Sequence, residues 1–382
     1  MDRKFFTNYR AVIEQALWQQ DGLLYAWEEV LAVAIKDSGS CGYIVSSILI
    51  QRQGKALTVS EEVVKAAAAN EGPPIMQQLF ERYGDSLPVS EEIVKAAAAN
   101  EGDYGPQIMQ QLFKRYGDSL PVSEEIVTAA AANKGNYGFM IMQQLFEYYR
   151  DSLPVSEEVV KAAAANEGPP IMQQLFERYG DSLPVSEEVV KAAAANDGLY
   201  GPAIMQQLFE YYGHSLPLSE EVVKAAAAKK GIHGFEIMQQ LLKQCRNKLT
   251  LSEGVAEAAA ANDGRYGPAI LQQLFEHYGD SLPVSEEVVK AAAANEGDYG
   301  PQIMQQLFER YGDSLPVSEE VIKAAAANKG DHGFVIMQQL LKQYRNKLPL
   351  SEAVFKVAAA NNGHYGFAIM QQLLKSCGDN LP

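Results

Sequence analysis

Apolar and polar positions recur along most of this chain with a fixed period. Residues 90–122 read SEEIVKAAAANEGDYGPQIMQQLFKRYGDSLPV, and near-copies of this stretch continue to the end of the sequence. A Ser-Glu pair opens each copy, with a second glutamate after it in most of them; a serine side chain there is expected to cap a helix, and carboxylates favour the positive end of the helix dipole. Four alanines then extend the helix. Asn100 and Gly102 are expected to end it.

A second helix is predicted in the other half of each copy. It begins at Gly105-Pro106, because proline at the first helical position lacks only an N–H that would be unpaired there. Gly117 ends it. Its apolar residues recur at helical spacing: Ile108, Met109, Leu112, Phe113 and Tyr116. Two antiparallel helices joined by a short link form an αα-hairpin.

The serine that opens each copy marks ten repeats, numbered one to ten, with steps of 30 or 33 residues. These markers are Ser60, Ser90, Ser123, Ser156, Ser186, Ser219, Ser252, Ser285, Ser318 and Ser351. A fixed period in this range is typical of a solenoid, in which each unit buries its apolar face against its neighbours. We therefore predict an all-α fold, an αα-hairpin solenoid of ten 30/33-residue repeats over 60–382.

Residues 1–59 keep the pattern in weakened form and are predicted to be degenerate N-terminal capping repeats. Trp27-Glu28-Glu29-Val30 can be laid over Ser-Glu-Glu-Val, and Cys41 to Ile50 then takes the place of a second helix. Trp18 and Trp27, the two tryptophans of the chain, are expected to seal this end of the core. The last repeat has no comparable cap. Three explanations stay open: tolerated exposure, a longer array, and self-association through this uncapped C-terminal repeat.

Composition narrows the classes of partner. The net charge is −16, from 32 basic and 48 acidic residues, which argues against nucleic acid and against an anionic membrane surface. No apolar run has the length of a membrane span, and the first ten residues show no signal-peptide h-region. The cysteines, Cys41, Cys245 and Cys377, are odd in number and far apart. These features predict an acidic protein of the cytoplasm without disulfides.

Catalytic and metal-binding motifs are not found in the sequence. The paired glutamates at each helix start point to different sides of the helix, and the five histidines have no metal-ligand spacing. No phosphate-binding loop or nucleophile elbow occurs. We predict no catalytic residue, metal or cofactor, although an enzyme without a motif stays open.

Two columns of varied residues are candidate binding positions. The edge column lies in the loop between the two helices of each long repeat: Tyr104, Tyr137, Tyr200, His233, Tyr266, Tyr299, His332 and Tyr365. Repeated geometry with changing side chains builds extended binding surfaces, and exposed tyrosines are good anchors. The alternative is that each ring packs on its own loop or on the next repeat.

The secondary column lies near the end of the second helices: Arg82, Arg115, Tyr148, Arg178, Tyr211, Gln244, His277 and Arg310, followed by Gln343 and Ser376. A Gln-Gln pair precedes it in all ten repeats, as in Gln110-Gln111. We favour a hydrogen-bonded glutamine ladder between repeats over a polar groove lining.

The sequences of the repeats resemble those of known repeat families. The run Ala98 to Asp118 resembles the part of an ankyrin repeat that ends in leucines, a glycine and an aspartate, and the 33-residue period is similar. A second resemblance is to repeats of large fungal proteins of the nucleotide-sensor type, on the sequence Glu-Glu-Val-Val-Lys-Ala-Ala-Ala. Both resemblances imply an ankyrin-like interaction array.

Three functions are compatible with these observations. The leading hypothesis is a non-catalytic scaffold that binds a protein or peptide partner along its edge or concave surface. The first alternative is a small-molecule binder or a motif-less enzyme of the cyclase or isomerase type, with a pocket near Trp18, Trp27 and Tyr43. The second alternative is a self-associating structural array.

Overall fold

The described part of the chain is helical throughout. A computed structural model describes residues 27–37, 39–53, 59–70, 75–168, 170–196, 198–244, 251–344 and 347–377. Every regular element within these ranges is a helix. The predicted all-α helical repeat architecture is therefore confirmed. The chain divides into two compact units, Met1–Pro184 and Val185–Pro382.

The first unit contains a helix pair before Ser60 and repeats one to four. Its helices are α1 Trp27–Lys36, α2 Ser40–Gln53, α3 Glu61–Ala69, α4 Ile75–Tyr83, α5 Glu91–Ala98, α6 Gly105–Tyr116, α7 Glu124–Ala132, α8 Gly135–Tyr149, α9 Glu157–Ala165 and α10 Ile171–Tyr179. Short 3₁₀ turns follow the second helices of these repeats, at Gly84–Ser86, Gly117–Ser119, Arg150–Ser152 and Gly180–Ser182.

The second unit contains repeats five to ten. Its helices are α11 Glu187–Ala194, α12 Gly201–Tyr212, α13 Glu220–Ala227, α14 Ile232–Gln244, α15 Glu253–Ala261, α16 Gly267–Tyr278, α17 Glu286–Ala294, α18 Gly300–Tyr311, α19 Glu319–Ala327, α20 Gly333–Tyr344, α21 Glu352–Ala360 and α22 Gly366–Cys377. Its 3₁₀ turns are Gly213–Ser215, Gly279–Ser281 and Gly312–Ser314.

The core of each unit lies between two rows of helices. First helices pack on the first helices of neighbouring repeats, and second helices form the parallel row. In α5 the buried residues are Ile93, Val94, Ala97 and Ala98. The alanines let neighbouring backbones approach closely, while each buried Val, Ile, Leu or Phe adds about 1.5–3 kcal/mol. A repeat without neighbours would leave this apolar surface in water, so the fold depends on stacking.

A ladder of buried asparagines joins successive repeats. The Asn100 amide donates to the carbonyls of Ala68, at 2.8 Å, and Asn70, at 3.0 Å, in the preceding repeat. Its side-chain oxygen accepts from the Gly102 N–H at 2.8 Å. Amide bonds to the two equivalent carbonyls are made by Asn133, Asn166, Asn262, Asn295, Asn328 and Asn361. The asparagine that the sequence marks as a helix end is therefore also the main polar tie between repeats.

The predicted serine cap forms in only some repeats: the side chains of Ser90 and Ser123 accept no backbone N–H, whereas Ser156 and Ser219 do and also have a second partner. Ser156 accepts from the Val159 N–H at 3.4 Å, as the capping pattern predicts, and its hydroxyl donates to Glu124 of the preceding repeat at 2.6 Å. Ser219 makes the same pair of contacts, with Glu187 as its acceptor. The first glutamate of these helices thus serves the helix dipole and also fixes the next repeat.

One turn holds a residue that is unsuited to its backbone. The turns after the second helices require a positive φ, which is 50° at Gly117 and 57° at Gly279. Arg150 occupies the same place in repeat three with φ 47°. A side chain in this region is strained, whereas glycine adopts it freely.

The N-terminal helix pair, α1 and α2, packs against repeat one. The amide of Gln78 donates to the Tyr43 hydroxyl at 3.1 Å and to Ser47 at 2.8 Å. Trp18 and the side chain of Trp27, which were expected to seal this end, lie outside the described residues. So do Cys245 and the last five residues.

Candidate functional site

The edge column lies at the start of the second helices. Tyr104, Tyr200, Tyr266 and Tyr299 each stand directly before the glycine that begins α6, α12, α16 and α18. Their rings are half-buried, as are those of Tyr137, His233 and His332, while Tyr365 is exposed. The column therefore consists of partly covered rings rather than freely projecting ones.

Several rings of the edge column contact the preceding repeat. The Tyr137 hydroxyl donates to the Asp103 carboxylate, and this hydrogen bond raises the pKa of Tyr137. His332 Nε2 lies 3.5 Å from the Asp298 carboxylate. The ring centroids of Tyr266 and Tyr365 lie 5.7 Å and 6.1 Å from the phenylalanines of the preceding repeats, Phe235 and Phe334. These contacts fix the loops against one another.

His233 differs from the other members, because its Nδ1 lies 3.3 Å from Glu236 on its own helix.

The residue before each ring is an exposed part of the loop. We call these residues the tip positions, and all of them are exposed: Asp103, Asn136, Leu199, Ile232, Arg265, Asp298, Asp331 and His364. Leu199 is 70% exposed and Ile232 is 43% exposed, and they belong to consecutive repeats of the second unit. The sequence shows that these positions vary. The structure shows that they, more than the rings, are presented to solvent.

The secondary column covers the phenylalanines of the preceding repeats. Arg115 lies over Phe80, with its guanidinium carbon 5.2 Å from the ring centroid, and Tyr148 stacks on Phe113 at 4.4 Å. Arg178 and Arg310 lie over Phe146 and Phe275 in the same way. Arg82 contacts the carbonyl of Gln51, and Tyr211 is exposed. Most of this column therefore stabilises the stack.

Two members of the secondary column line open grooves instead. A groove of 680 Å³ lies between α14 and α16 and includes His277, and one of 380 Å³ lies between α12 and α14 and includes Gln244. Gln240 and Lys243 line both grooves. A third groove, of 450 Å³, lies between first helices of the first unit near Lys65 and Ala66.

The glutamine pairs do not form the expected ladder from glutamine to glutamine among the described residues. The second glutamine of repeats three, six and nine donates to a proline carbonyl of the preceding repeat, at 3.1 Å in each case: Gln144 to Pro106, Gln240 to Pro202 and Gln339 to Pro301. First glutamines such as Gln77 donate instead to the glutamate four residues on, here Glu81, at 2.9 Å. The backbone, which sequence patterns do not display, supplies the acceptor between repeats.

Charges at the starts of the first helices are paired. Lys65 Nζ lies 2.7 Å from Glu92 of the next repeat, which raises the pKa of Lys65 and lowers that of Glu92. Lys95 and Glu125 repeat this contact. Glutamates at the helix starts therefore form ion pairs between neighbouring repeats.

The described residues contain no group of His, Cys, Asp and Glu placed to hold a metal ion. Among them, no helix is both long and apolar enough to cross a bilayer.

The comparisons with known proteins agree with a repeat array. No curated protein and no solved structure matches the chain. One family model, described as Domain of unknown function (DUF7104), matches nine times, at residues 48–76, 79–109, 112–140, 145–172, 175–205, 208–238, 241–265, 274–304 and 307–337. Each matched copy of the model extends from a second helix into the following pair, so it contains the contact between neighbouring repeats. The matches cover more than half of the sequence, and the chain therefore belongs to the DUF7104 family.

Proposed function

We propose that this chain is a non-catalytic repeat scaffold that binds a protein or peptide partner along the edge formed by its tip positions. The observation that carries the proposal is the contrast between constant and varied residues. The buried position of Val189 and Val222 holds valine or isoleucine in every repeat, while the exposed tips in the loops change in charge, size and polarity. A constant frame with a varied edge is how repeat arrays build selective surfaces.

The rings of the edge column support the tips rather than replace them. Tyr137 and His332 contact acidic tips of the preceding repeats, and Tyr266 packs on Phe235. A loop held in this way presents its tip with little loss of conformational entropy on binding. Leu199 and Ile232 are apolar tips in consecutive repeats, followed by the cationic Arg265. We expect this stretch to supply the strongest contacts.

The resemblance to ankyrin-type arrays points to the same use of the loop edge, and cytoplasmic location remains part of the proposal. The small-molecule alternative depends on a pocket near Trp18 and Trp27, whose side chains lie outside the described residues.

The experiment compares partner retention by matched variants of the full chain. The tip variant carries Leu199→Ser, Ile232→Ser and Arg265→Ser. The control carries serine at exposed alanines of first helices in the same array, Ala228→Ser, Ala261→Ser and Ala294→Ser. Proteins that the wild type and control retain from lysate, and that the tip variant loses, would support the edge. Equal retention by all three forms would refute it.

A second candidate function, self-association, is favoured by one surface of repeat ten. Phe367 is 82% exposed and Leu374 is 43% exposed, whereas the equivalent Phe334 packs on Tyr365. If this surface joins two chains, light scattering will show a dimer that Phe367→Ser dissociates. A strict monomer at high protein concentration would exclude this role.

A further inference from the structure

The two grooves beside α14 form one surface on the second helices of repeats five to seven. Their apolar residues are Phe209 and Leu242, and Gln240 and Lys243 belong to both. Gln239 and Gln244 contribute side-chain amides. The surface, which we call the α14 groove, thus combines a small apolar floor with hydrogen-bonding groups, as ligand sites commonly do.

The α14 groove lacks the side chains that cover the equivalent phenylalanines in other repeats, and its floor is exposed only at its edges, 9% of Phe209 and 5% of Leu242. In repeat eight, Arg310 lies over Phe275 at 5.0 Å and pairs with Asp280 at 3.0 Å. Repeat six has Gln244 at the arginine position, and the turn before it has His214 where the aspartate stands. Repeat six also has the smaller Leu242 where most repeats have phenylalanine.

Three exposed charges cross the α14 groove in a fixed order. Glu210 on α12, Lys243 on α14 and Glu276 on α16 occupy the same position of successive second helices, and all three are exposed. They give the sequence negative, positive, negative across the stack. A partner that lies across the helices meets these charges one repeat at a time.

The spacing of the charges selects a conformation for the partner. Packed helices lie about 8–10 Å apart. A polyproline II helix has three residues per turn and rises about 3.1 Å per residue, so it places every third side chain on one side at intervals of about 9.3 Å. A β-strand would turn residues three apart to opposite faces. An α-helix rises only about 1.5 Å per residue and would need six or seven residues to cover the same distance.

We propose that the α14 groove binds a polyproline II segment that carries a basic, an acidic and a basic residue at positions i, i+3 and i+6. The basic residues pair with Glu210 and Glu276, and the acidic residue pairs with Lys243. Intervening prolines pack on Phe209 and Leu242. The segment's carbonyls, which make no internal hydrogen bonds, accept from the amides of Gln239 and Gln244. This surface does not include the tip positions, so the inference does not depend on the loop edge.

The test uses a synthetic peptide, Ac-PPKPPEPPKPP-amide, with the full chain. Fluorescence anisotropy of a labelled peptide gives the affinity. Two control peptides of the same length change the pattern. The first, PPEPPKPPEPP, inverts the charges. The second, PPKPEPKPPPP, keeps the composition and places the charges two residues apart. Both controls should bind about tenfold or more weakly, because opposed charges lose their partners or meet like charges. Equal affinity of the three peptides would overturn the proposal.

Three variants locate the binding site. Lys243→Glu should lose affinity for PPKPPEPPKPP and instead prefer PPKPPKPPKPP, and this exchange of specificity cannot arise from misfolding. Leu242→Phe with Gln244→Arg should fill the groove and abolish binding. The triple tip variant Leu199→Ser, Ile232→Ser, Arg265→Ser should bind the peptide like wild type. No change on filling the groove, or no exchange with Lys243→Glu, would refute the site even if the loop edge is correct.

Discussion

Repeats one to three and repeats five to seven have the same order of charges on their second helices. The two grooves described above on second helices both lie in repeats five to seven. Glu81, Lys114 and Glu147 match Glu210, Lys243 and Glu276 position by position. In the first set, however, Arg115 lies over Phe80 and Tyr148 stacks on Phe113. The charges are thus common to both, and the covering side chains decide whether a groove exists.

The difference shows how a repeat array can gain a site by small changes. Arg115 is held over its phenylalanine by Asp85, 3.2 Å from its guanidinium. Repeat six lacks both the arginine and the aspartate, and it also has Lys229 at the ladder position. Substitutions that would weaken an ordinary interface are therefore concentrated around α14. A groove between second helices needs such a local loss of packing, because covering side chains would otherwise fill it.

The largest expected effect concerns the asparagine ladder, which is complete through the first set. Asn100→Ala removes two bonds to the carbonyls of Ala68 and Asn70 and leaves these groups buried without a donor. Unfolding in urea should show a loss of about 2–4 kcal/mol in stability. The exposed Asn136→Ala is the matched control and should change stability by less than about 0.5 kcal/mol. Similar values for the two variants would mean that the ladder does not hold the repeats together.

The next effect follows from opening the first set. Phe113→Leu with Tyr148→His gives repeats two and three the residues of repeats six and seven. The loss of the stacked pair should reduce stability by about 1–3 kcal/mol. The same variant should gain affinity for the basic-acidic-basic peptide at its own charges, including Lys114. This binding is measured in a chain whose α14 groove is filled by Leu242→Phe and Gln244→Arg. If the variant is destabilised there and gains no binding, covering side chains do not explain the difference between the two sets.

Much of the fold could be predicted because each repeat contains its own local signals. The proline of Gly105-Pro106 and the run of alanines indicate where helices begin and how closely they pack. The hydrogen bonds between repeats could not be predicted in the same way. The carbonyl acceptors of Asn100 and Gln144 belong to the backbone of another repeat, and side-chain periodicity does not reveal them.

The candidate site was predicted less well, for a related reason. Variation marks a position as free to change without telling whether it contacts solvent or a neighbour. Arg115 and Arg310 belong to the varied secondary column and cover phenylalanines, whereas Gln244, in the same column, lines a groove. In the loops, the varied tips proved more exposed than the rings beside them. Only the packing of consecutive repeats distinguishes these roles.

A smaller effect compares the turns that close repeats three and seven. Arg150 and Gly279 occupy the same place with φ 47° and 57°. Arg150→Gly should relieve backbone strain and stabilise the first unit by about 1 kcal/mol. Gly279→Ala should have the opposite sign, because alanine disfavours this region. Thermal unfolding of the two variants measures both, and a destabilised Arg150→Gly would show that the arginine side chain contributes more than its backbone costs.

The smallest effect separates two arrangements of the lysine that follows Glu-Glu-Val-Val. In repeat one, Lys65 reaches Glu92 of the next repeat at 2.7 Å, whereas in repeat eight Lys290 pairs with Glu287 on its own helix at 3.1 Å. Both pairs are exposed, so neither contributes much to stability. The first pair nevertheless joins two repeats, and the second does not. Glu92→Gln should therefore lower the melting temperature slightly more than Glu287→Gln.

The dependence of this difference on pH identifies the charge as its cause. The pKa of Glu92 is lowered in the folded chain, so its contribution is present above the unfolded value of about 4.3 and is lost as the pH falls through the folded pKa. The pKa of Lys65 is raised, so its contribution persists below about 10.4 and disappears as the pH rises through the folded pKa. The melting difference between wild type and Glu92→Gln should accordingly be present between these limits and vanish in acid. A difference that survives once the pH lies below the folded pKa of Glu92 would come from side-chain packing instead, and the contact between repeats one and two would then not be electrostatic.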